Sequence, residues 1–270
     1  MASSRTGFQL EFEEISPGNP RLGTAAVIPW DSETFGFSVA TCESSGADLS
    51  DEEASAFVRL LGEWLTRRGV AVCSCTVGPA ETSWRAALDR AGFRFVDITL
   101  EPSLAGLQTA HLPKCRFPVR PATPEDGDAI RAIAATSFVH GRYHADPLFP
   151  RELANARYRN WVDRALCSPG PEDSILVLKQ GGLVRGFFHV VVSNSSADLR
   201  LVAVSEEVKS TIIGFELYVA TLHEMRGRGV QRATSVISAT NTAVLNVHAK
   251  LGFRFDNCRL IYHWHSDRAQ

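Results

Sequence analysis

Residues 68–95 (RGVAVCSCTVGPAETSWRAALDRAGFRF) align without a gap on residues 228–255 (RGVQRATSVISATNTAVLNVHAKLGFRF). Both segments open with Arg-Gly-Val and close with Gly-Phe-Arg-Phe at the same separation. One shared tetrapeptide arises from composition alone, but two shared ends at matched spacing point to an internal duplication. Each segment reads as a short β-rich run, a turn and a helix of about ten residues. The chain is therefore expected to contain two related α/β halves, residues 1–112 and 113–270.

The boundary is legible as a run of prolines. Pro102, Pro113, Pro118, Pro121 and Pro124 lie in a stretch with little periodicity. Each proline removes a ladder donor and biases the preceding residue away from helix, so 102–124 reads as an extended connector.

After the connector the pattern sharpens. Thr123-Pro124-Glu125-Asp126 has a capping hydroxyl, a first-turn proline and acids suited to the helix dipole. Ile130, Ile133, Ala134 and Phe138 continue that helix, and a second follows Pro150. Strands are expected at Ser174–Lys179, Leu183–Ser193 and Leu199–Val204, the first two joined by the tight turn Gln180-Gly181-Gly182. Ile213–Met225 reads as helix, stopped by Gly227; Val230–Ser238 as strand; Thr242–Leu251 as helix, stopped by Gly252; and Phe253–Trp264 as a final pair of strands. The expected class is α/β: a mixed, mainly antiparallel sheet with helices on its faces.

Composition bounds the function. The 270 residues carry 28 Lys+Arg against 30 Asp+Glu, a formal net charge of −2, which gives no electrostatic footprint for nucleic acid or an anionic membrane. The share of apolar residues, 44%, suits a soluble globular chain, and no apolar run approaches the length of a membrane span. The N-terminal MASSRTGFQLEFEE lacks the basic and apolar regions of a signal peptide. The six cysteines contain no CxxC. A reduced, cytoplasmic protein is the expectation, with no disulfide framework. Cys73 and Cys75 share one strand face without further ligands nearby, so no metal is expected.

The segment most informative for chemistry is the junction that follows Leu199–Val204. A strand ends, the polar loop VSEEVKSTIIG follows, and a helix begins near Ile213. Such a junction offers unpaired N–H groups and the positive end of a helix dipole, which suit a pyrophosphate; Lys209, Ser210 and Thr211 add donors. Every strand–loop–helix unit has such an end, so an ordinary crossover stays open. Arg226-Gly227-Arg228-Gly229 looks like a phosphate loop but follows a helix and precedes a strand. It reads as a helix C-terminus.

The order of elements, the VSEEVKSTIIG loop and NTAVLNVHAKLGF together resemble the GCN5-related N-acetyltransferases over roughly residues 118–265. WDSETFGF (30–37), ALDRAGFRFVDITL (87–100), GRYHADP (141–147) and the terminal YHW are similar to the dTDP-fucosamine acetyltransferase group, whose N-terminal half is also degenerate. The resemblance implies acetyl-coenzyme A as acyl donor, and as acceptor a small-molecule amine, on a nucleotide-linked amino sugar. It implies no nucleic-acid or membrane partner, and a homodimer is compatible with it. In that family the loop runs Arg/Gln-x-x-Gly-x-Gly/Ala. Lys209 takes the first position and Gly214 the last, while Ile212 replaces the middle glycine and costs close backbone approach. Cofactor contacts are thereby assigned to Val202, Val204, Lys209, Ser210, Thr211, Ile212, Ile213, Gly214 and Asn241.

Other residues carry two readings each. His248 falls where the family places a tyrosine that protonates the departing thiolate, and an imidazolium of ordinary pKa has that capacity. Alternatively it packs with Val244, Leu245 and Leu251 on an apolar helix face. Asn241 caps its helix and, by the resemblance, also contacts the cofactor. Arg142, Tyr143, His144 and Asp146 lie where the fold lines its acceptor pocket, Arg142 as phosphate partner; loop solvation is the alternative. His189 reads as a satisfied buried histidine or as a base for the amine. The expected enzyme is an N-acetyltransferase with His248 as proton donor. Acetylation of another small amine or a peptide N-terminus, and a coenzyme A-binding pseudoenzyme, are the alternatives.

Overall fold

The computed structural model describes residues 10–16, 22–44, 48–167, 169–170, 172–209 and 212–266. The first half contains β1 (Glu13–Glu14), β2 (Thr24–Val27), α1 (Pro29–Phe35), β3 (Val39–Glu43), α2 (Asp51–Arg67), β4 (Val72–Val77), α3 (Thr82–Arg90) and β5 (Arg94–Ala105). The second contains β6 (Val119–Pro121), α4 (Gly127–Ser137), α5 (Arg142–Ala145), α6 (Arg151–Cys167), β7 (Asp173–Gln180), β8 (Leu183–Ser193) and β9 (Ser196–Val204). It continues through α7 (Ile213–Gly227), β10 (Arg232–Thr234), β11 (Ile237–Ser238), α8 (Thr242–Lys250) and β12 (Arg254–His265).

The repeat survives in detail. α3 and α8 occupy equivalent positions in the two segments and have nine residues each. Gly92 and Gly252 follow them at φ 82, the left-handed conformation that releases the chain from a helix end. The Phe93 amide then donates to the Leu88 carbonyl, and the Phe253 amide to the His248 carbonyl, both at 3.0 Å. A twelve-residue strand follows each helix, β5 in the first segment and β12 in the second.

The compact units, however, do not follow a single cut. One comprises Phe8–Thr99, Arg142–Leu153 and Cys258–Gln270; the other holds Leu100–Gly141 and Ala154–Asn257. In the first unit the strands run β1-β2-β3-β4-β12, with β3 parallel to β4 and β12 antiparallel to β4 over Leu260–His265. α2 and α3 supply Phe57, Leu61, Leu65, Trp84 and Leu88 to its core. The capping box of Ser50 and Glu53 fixes the start of α2.

In the second unit the order is β5-β10-β9-β8-β7-β6, antiparallel throughout except for β9 and β10. α7 covers one face, placing Leu217, Val219 and Leu222 with Phe188, Val190 and Leu199. α4 and α6 cover part of the other, placing Ile130, Ile133 and Val162 with Val177, Phe187, Leu201 and Ala203. A mixed, mainly antiparallel sheet flanked by helices is what the periodicity foretold.

Three local expectations are corrected. The final pair of strands is one strand, β12, whose beginning and end belong to different units. The connector expected from Pro102 begins later, because β5 runs on to Ala105 and uses Pro102 as an acceptor, from the Ser235 amide at 3.1 Å. β9 starts at Ser196 because Asn194 and Ser195 both take positive φ (48 and 62), closing a two-residue hairpin from β8. Among the described residues no helix is long and apolar enough to cross a membrane.

Candidate active site

The parallel pair β9–β10 holds for three residues only. Arg232, Ala233 and Thr234 pair with Ser196, Ala197 and Asp198, and there the ladder ends. β9 runs on to Val204, bonded to β8 along its other edge. Ser235 crosses the opening, its Oγ donating to the Leu199 carbonyl at 2.9 Å. At the same level the β8–β9 register slips: Val190 pairs with Leu199 and His189 with Leu201, leaving Arg200 as the extra residue of a β-bulge. Among the described residues no strand covers the β10-facing edge of β9 from Arg200 to Val204. Ser137 Oγ donates to the Val204 carbonyl at 3.3 Å, and the edge from Leu201 to Ala203 can pair with an extended ligand. The equivalent pair in the first unit, β3–β4, stays in register from Val39–Val72 to Glu43–Thr76. Among the described residues only the second unit has the opening.

The end of β9 leads into a helix start. Ser205, the 3-10 turn Glu206–Val208 and Lys209 connect to α7, whose N-cap position, Ile212, supplies no side-chain hydrogen bond. The N-cap side chain therefore offers the first turn no acceptor, and this turn is the positive end of a fifteen-residue helix. Among the described residues a side chain at Gly214 would meet nothing within 4 Å, so this glycine leaves room beside the helix start. Lys209 pairs with Glu206 at 3.0 Å on the surface, and Ile212 is half-exposed. Ser210 and Thr211 lie outside the described residues.

On the sheet face opposite α7, a polar cavity of about 530 Å³ lies against the paired part of β9 and β10. Its walls carry the carboxylates Glu101, Asp198 and Asp256 and the guanidiniums Arg200 and Arg232. The bulge residue Arg200, its side chain 6% exposed, holds Asp198 at 3.1 Å. Ser103 Oγ donates to Asp256 at 3.3 Å, and the Asn257 amide to Glu101 at 3.2 Å. Three carboxylates against two guanidiniums give the lining an anionic balance suited to a cationic amine.

Solved structures share this architecture. A GCN5-related N-acetyltransferase from Sphaerobacter thermophilus superposes with a TM-score of 0.65 at 13% identity, over 90% of this chain and 76% of that one. The fold is that of the GCN5-related N-acetyltransferases. Another such protein, from Kribbella flavida, gives a TM-score of 0.62 at 11% identity, covering 94% of this chain and 89% of that one. A tandem GNAT protein from the clavulanic acid biosynthesis pathway gives 0.56 at 13% identity, covering 90% and 79%. In sequence, the spore coat polysaccharide biosynthesis protein SpsD of Bacillus subtilis is 25% identical over 155 residues, 57% of this chain and 53% of that protein. The match thus spans about half the length of that curated relative. No family model matches the chain.

Within the N-acetyltransferase fold the sequence-derived residues fall into three groups. Val202, Val204, Lys209, Ile212, Ile213 and Gly214 lie along the open edge of β9 and the loop into α7. Asn241 caps α8, its Oδ1 accepting from the Val244 amide at 3.3 Å.

A second group sits elsewhere. Arg142, Tyr143, His144 and Asp146 belong to the first unit, and none lines the polar cavity. Tyr143 is buried and donates to Asp31 at 3.0 Å, Arg142 lies over the Tyr143 ring, and Asp146 takes two imidazole contacts. Asp31 and Asp146 thus accept hydrogen bonds from side chains within the unit, so a loosely solvated loop is not what these residues form. His189 is buried and pairs with Asp173 at 3.2 Å.

Of its two readings, His248 has the surroundings of the packed one. It is fully buried, its ring edge-on to Tyr218 and Phe253. Desolvation lowers its pKa to about 4, against partial support from the Val244 carbonyl. Nδ1 lies 2.9 Å from that carbonyl and so carries the proton, which leaves Nε2 as a lone pair without a partner. A neutral imidazole in this tautomer has no proton to give a thiolate. The gapless repeat contained the clue, because Leu88, buried in α3, stands opposite His248.

Arg226 and Arg228 are engaged by His223 and Glu224 at the C-terminal end of α7, as a helix stop requires. The cavity residues escaped the sequence reading. Their trace was the alternation of Ser196, Asp198 and Arg200 with apolar neighbours, a polar strand face where a buried one would be apolar.

Proposed function

We propose that the second unit is an acyl-coenzyme A-dependent N-acyltransferase that moves an acetyl group from acetyl-coenzyme A to a small-molecule amine. The observation that carries this is the opened β9–β10 pair with its bulge at Arg200. The residues present fit the donor. The free edge of β9 around Val202 can pair with the amides of the pantetheine arm. The positive end of α7, beside the space at Gly214, suits a pyrophosphate, with Lys209 adding a cation. Asn241 adds a contact while capping α8. Acetyl-coenzyme A brings the activated thioester; the chain positions it and polarises its carbonyl with amides of β9.

The amine approaches from the cavity on the opposite face. The carboxylates Glu101 and Asp256 attract it as a cation and take one proton before it attacks. The neutral amine then forms the C–N bond and the C–S bond breaks. The second amine proton passes to water, and coenzyme A leaves as a thiolate that takes a proton from water. His248 acts by packing and supplies no proton. The acceptor is a nucleotide-linked amino sugar, a reading supported by the polysaccharide pathway of the Bacillus relative and by the single guanidinium, Arg232, left for a phosphate.

A thiol-release assay with acetyl-coenzyme A and a panel of nucleotide amino sugars, simple amines and peptide N-termini tests this. Turnover is expected with the sugar amines. Turnover only with peptides would overturn the acceptor. Tight coenzyme A binding without turnover on any amine would make the protein a pseudoenzyme, a reading that Ile212 in the loop and the neutral His248 favour. Titration should also find one coenzyme A per chain, because β3–β4 stays closed where β9–β10 opens. Two equivalents would contradict the assignment of a single competent half.

A further inference from the structure

Asp146, His263 and His265 bring three donor atoms to within 4.8 Å of one another inside the first unit. His263 Nδ1 and His265 Nε2 each lie 2.7 Å from the same carboxylate oxygen, Asp146 Oδ2. All three side chains are buried, 1% exposed for His263, 6% for His265 and 3% for Asp146. The two histidines are alternate residues of β12, and strand periodicity turns both rings to one face. Asp146 comes from the residue after α5, and its other oxygen accepts from the Leu148 amide at 2.9 Å.

This carboxylate lacks an ordinary counterion. Among the described residues its ion pairs are with the two imidazoles and with no lysine or arginine. The nearby Arg142 pairs instead with Asp31, at 3.7 Å. A carboxylate buried to this depth is costly unless a cation or a metal answers it. The His263 ring is held through one nitrogen only, since its Nε2 is buried without a partner. The Asp146 carboxylate sets Nδ1 as the donor, and an ion that displaced this proton would take Nδ1 as its ligand and leave Nε2 to carry the proton.

We propose that Asp146, His263 and His265 form a binding site for one divalent transition-metal ion of the zinc class. Two imidazoles and one carboxylate are a donor set for such ions, at about 2.0–2.2 Å each. Opening the present contacts to that geometry needs shifts of about half an ångström per side chain, because donors around a tetrahedral ion stand about 3.3 Å apart. A water completes the coordination. The ion would tie the loop after α5 to the last strand. Its role is to hold these segments, and it is independent of the acyl transfer assigned to the other unit.

The test uses the tag-free full chain, stripped with chelator and titrated with Zn²⁺ by calorimetry and with Co²⁺ by visible absorption. One equivalent should bind, with the d–d bands of a low-coordinate Co²⁺ site. A Zn²⁺ excess of a hundredfold over Kd should raise Tm by about 5–10 °C. Asp146→Asn and His265→Gln should each weaken binding at least tenfold, within the range expected for loss of one ligand. His265→Gln keeps the assay usable if the Asp146 variant does not fold. No saturable binding in the wild-type chain, or binding retained in His265→Gln, would overturn the site and leave a hydrogen-bonded cluster.

Discussion

Acidifying the protein from pH 7 to pH 4 is expected to cost about 3 kcal/mol of folding stability through His248 alone. In the folded chain its pKa is lowered to about 4 from the ordinary 6.5. Between those values the unfolded chain holds a proton that the folded chain refuses, so stability falls as pH drops below 6.5 and levels off near 4. The cause is burial among Tyr218 and Phe253, and no carboxylate pairs with the ring. His248→Leu should remove this part of the acid sensitivity and keep the packing, since Leu88 does the same work in the first unit. His248→Ala should lose about 2–5 kcal/mol by leaving a cavity. Denaturant melts at pH 7 and pH 4.5, with single-turnover rates on the same samples, give the answer. An Ala variant of unchanged stability that has lost its rate by a hundredfold would return His248 to the chemistry.

The sequence made some of this legible and hid the rest for physical reasons. Helix periodicity, stop glycines and the tight turn at Gly181-Gly182 are local signals, and the elements they mark are present. The polarity rule that rejected Arg226–Gly229 as a phosphate loop is local too, and those arginines do pair within the end of α7. The exchange of strand ends is different. β5 and β12 each serve two units, and no feature within twelve residues says where a strand finds its partners. The bulge at Arg200 is a mismatch between two strands, invisible in either alone. Burial was least legible at His248, where residue type suggests an acid and only the surrounding rings lower its pKa.

Replacing Gly214 should separate cofactor binding from folding more cleanly than any other change in the loop. Its added side chain would meet none of the described residues within 4 Å, so nothing among them opposes substitution. Gly214→Ala removes a helix glycine and should raise stability by about 0.5–1 kcal/mol. Gly214→Trp should leave Tm within a few degrees of wild type. Its indole would stand in the space beside the first turn of α7, where the pyrophosphate is proposed to lie. Coenzyme A affinity is then expected to fall about a hundredfold, near 3 kcal/mol. The neighbouring Ile212→Gly should move the other way, because it removes a half-exposed side chain from the same approach. It should tighten coenzyme A several-fold at a small cost in Tm. Calorimetric titration of coenzyme A against all three variants, beside their melting curves, reads both quantities. If Gly214→Trp melts like the wild type and binds coenzyme A equally well, the pyrophosphate does not lie at this helix start. The opening between β9 and β10 would then need another ligand.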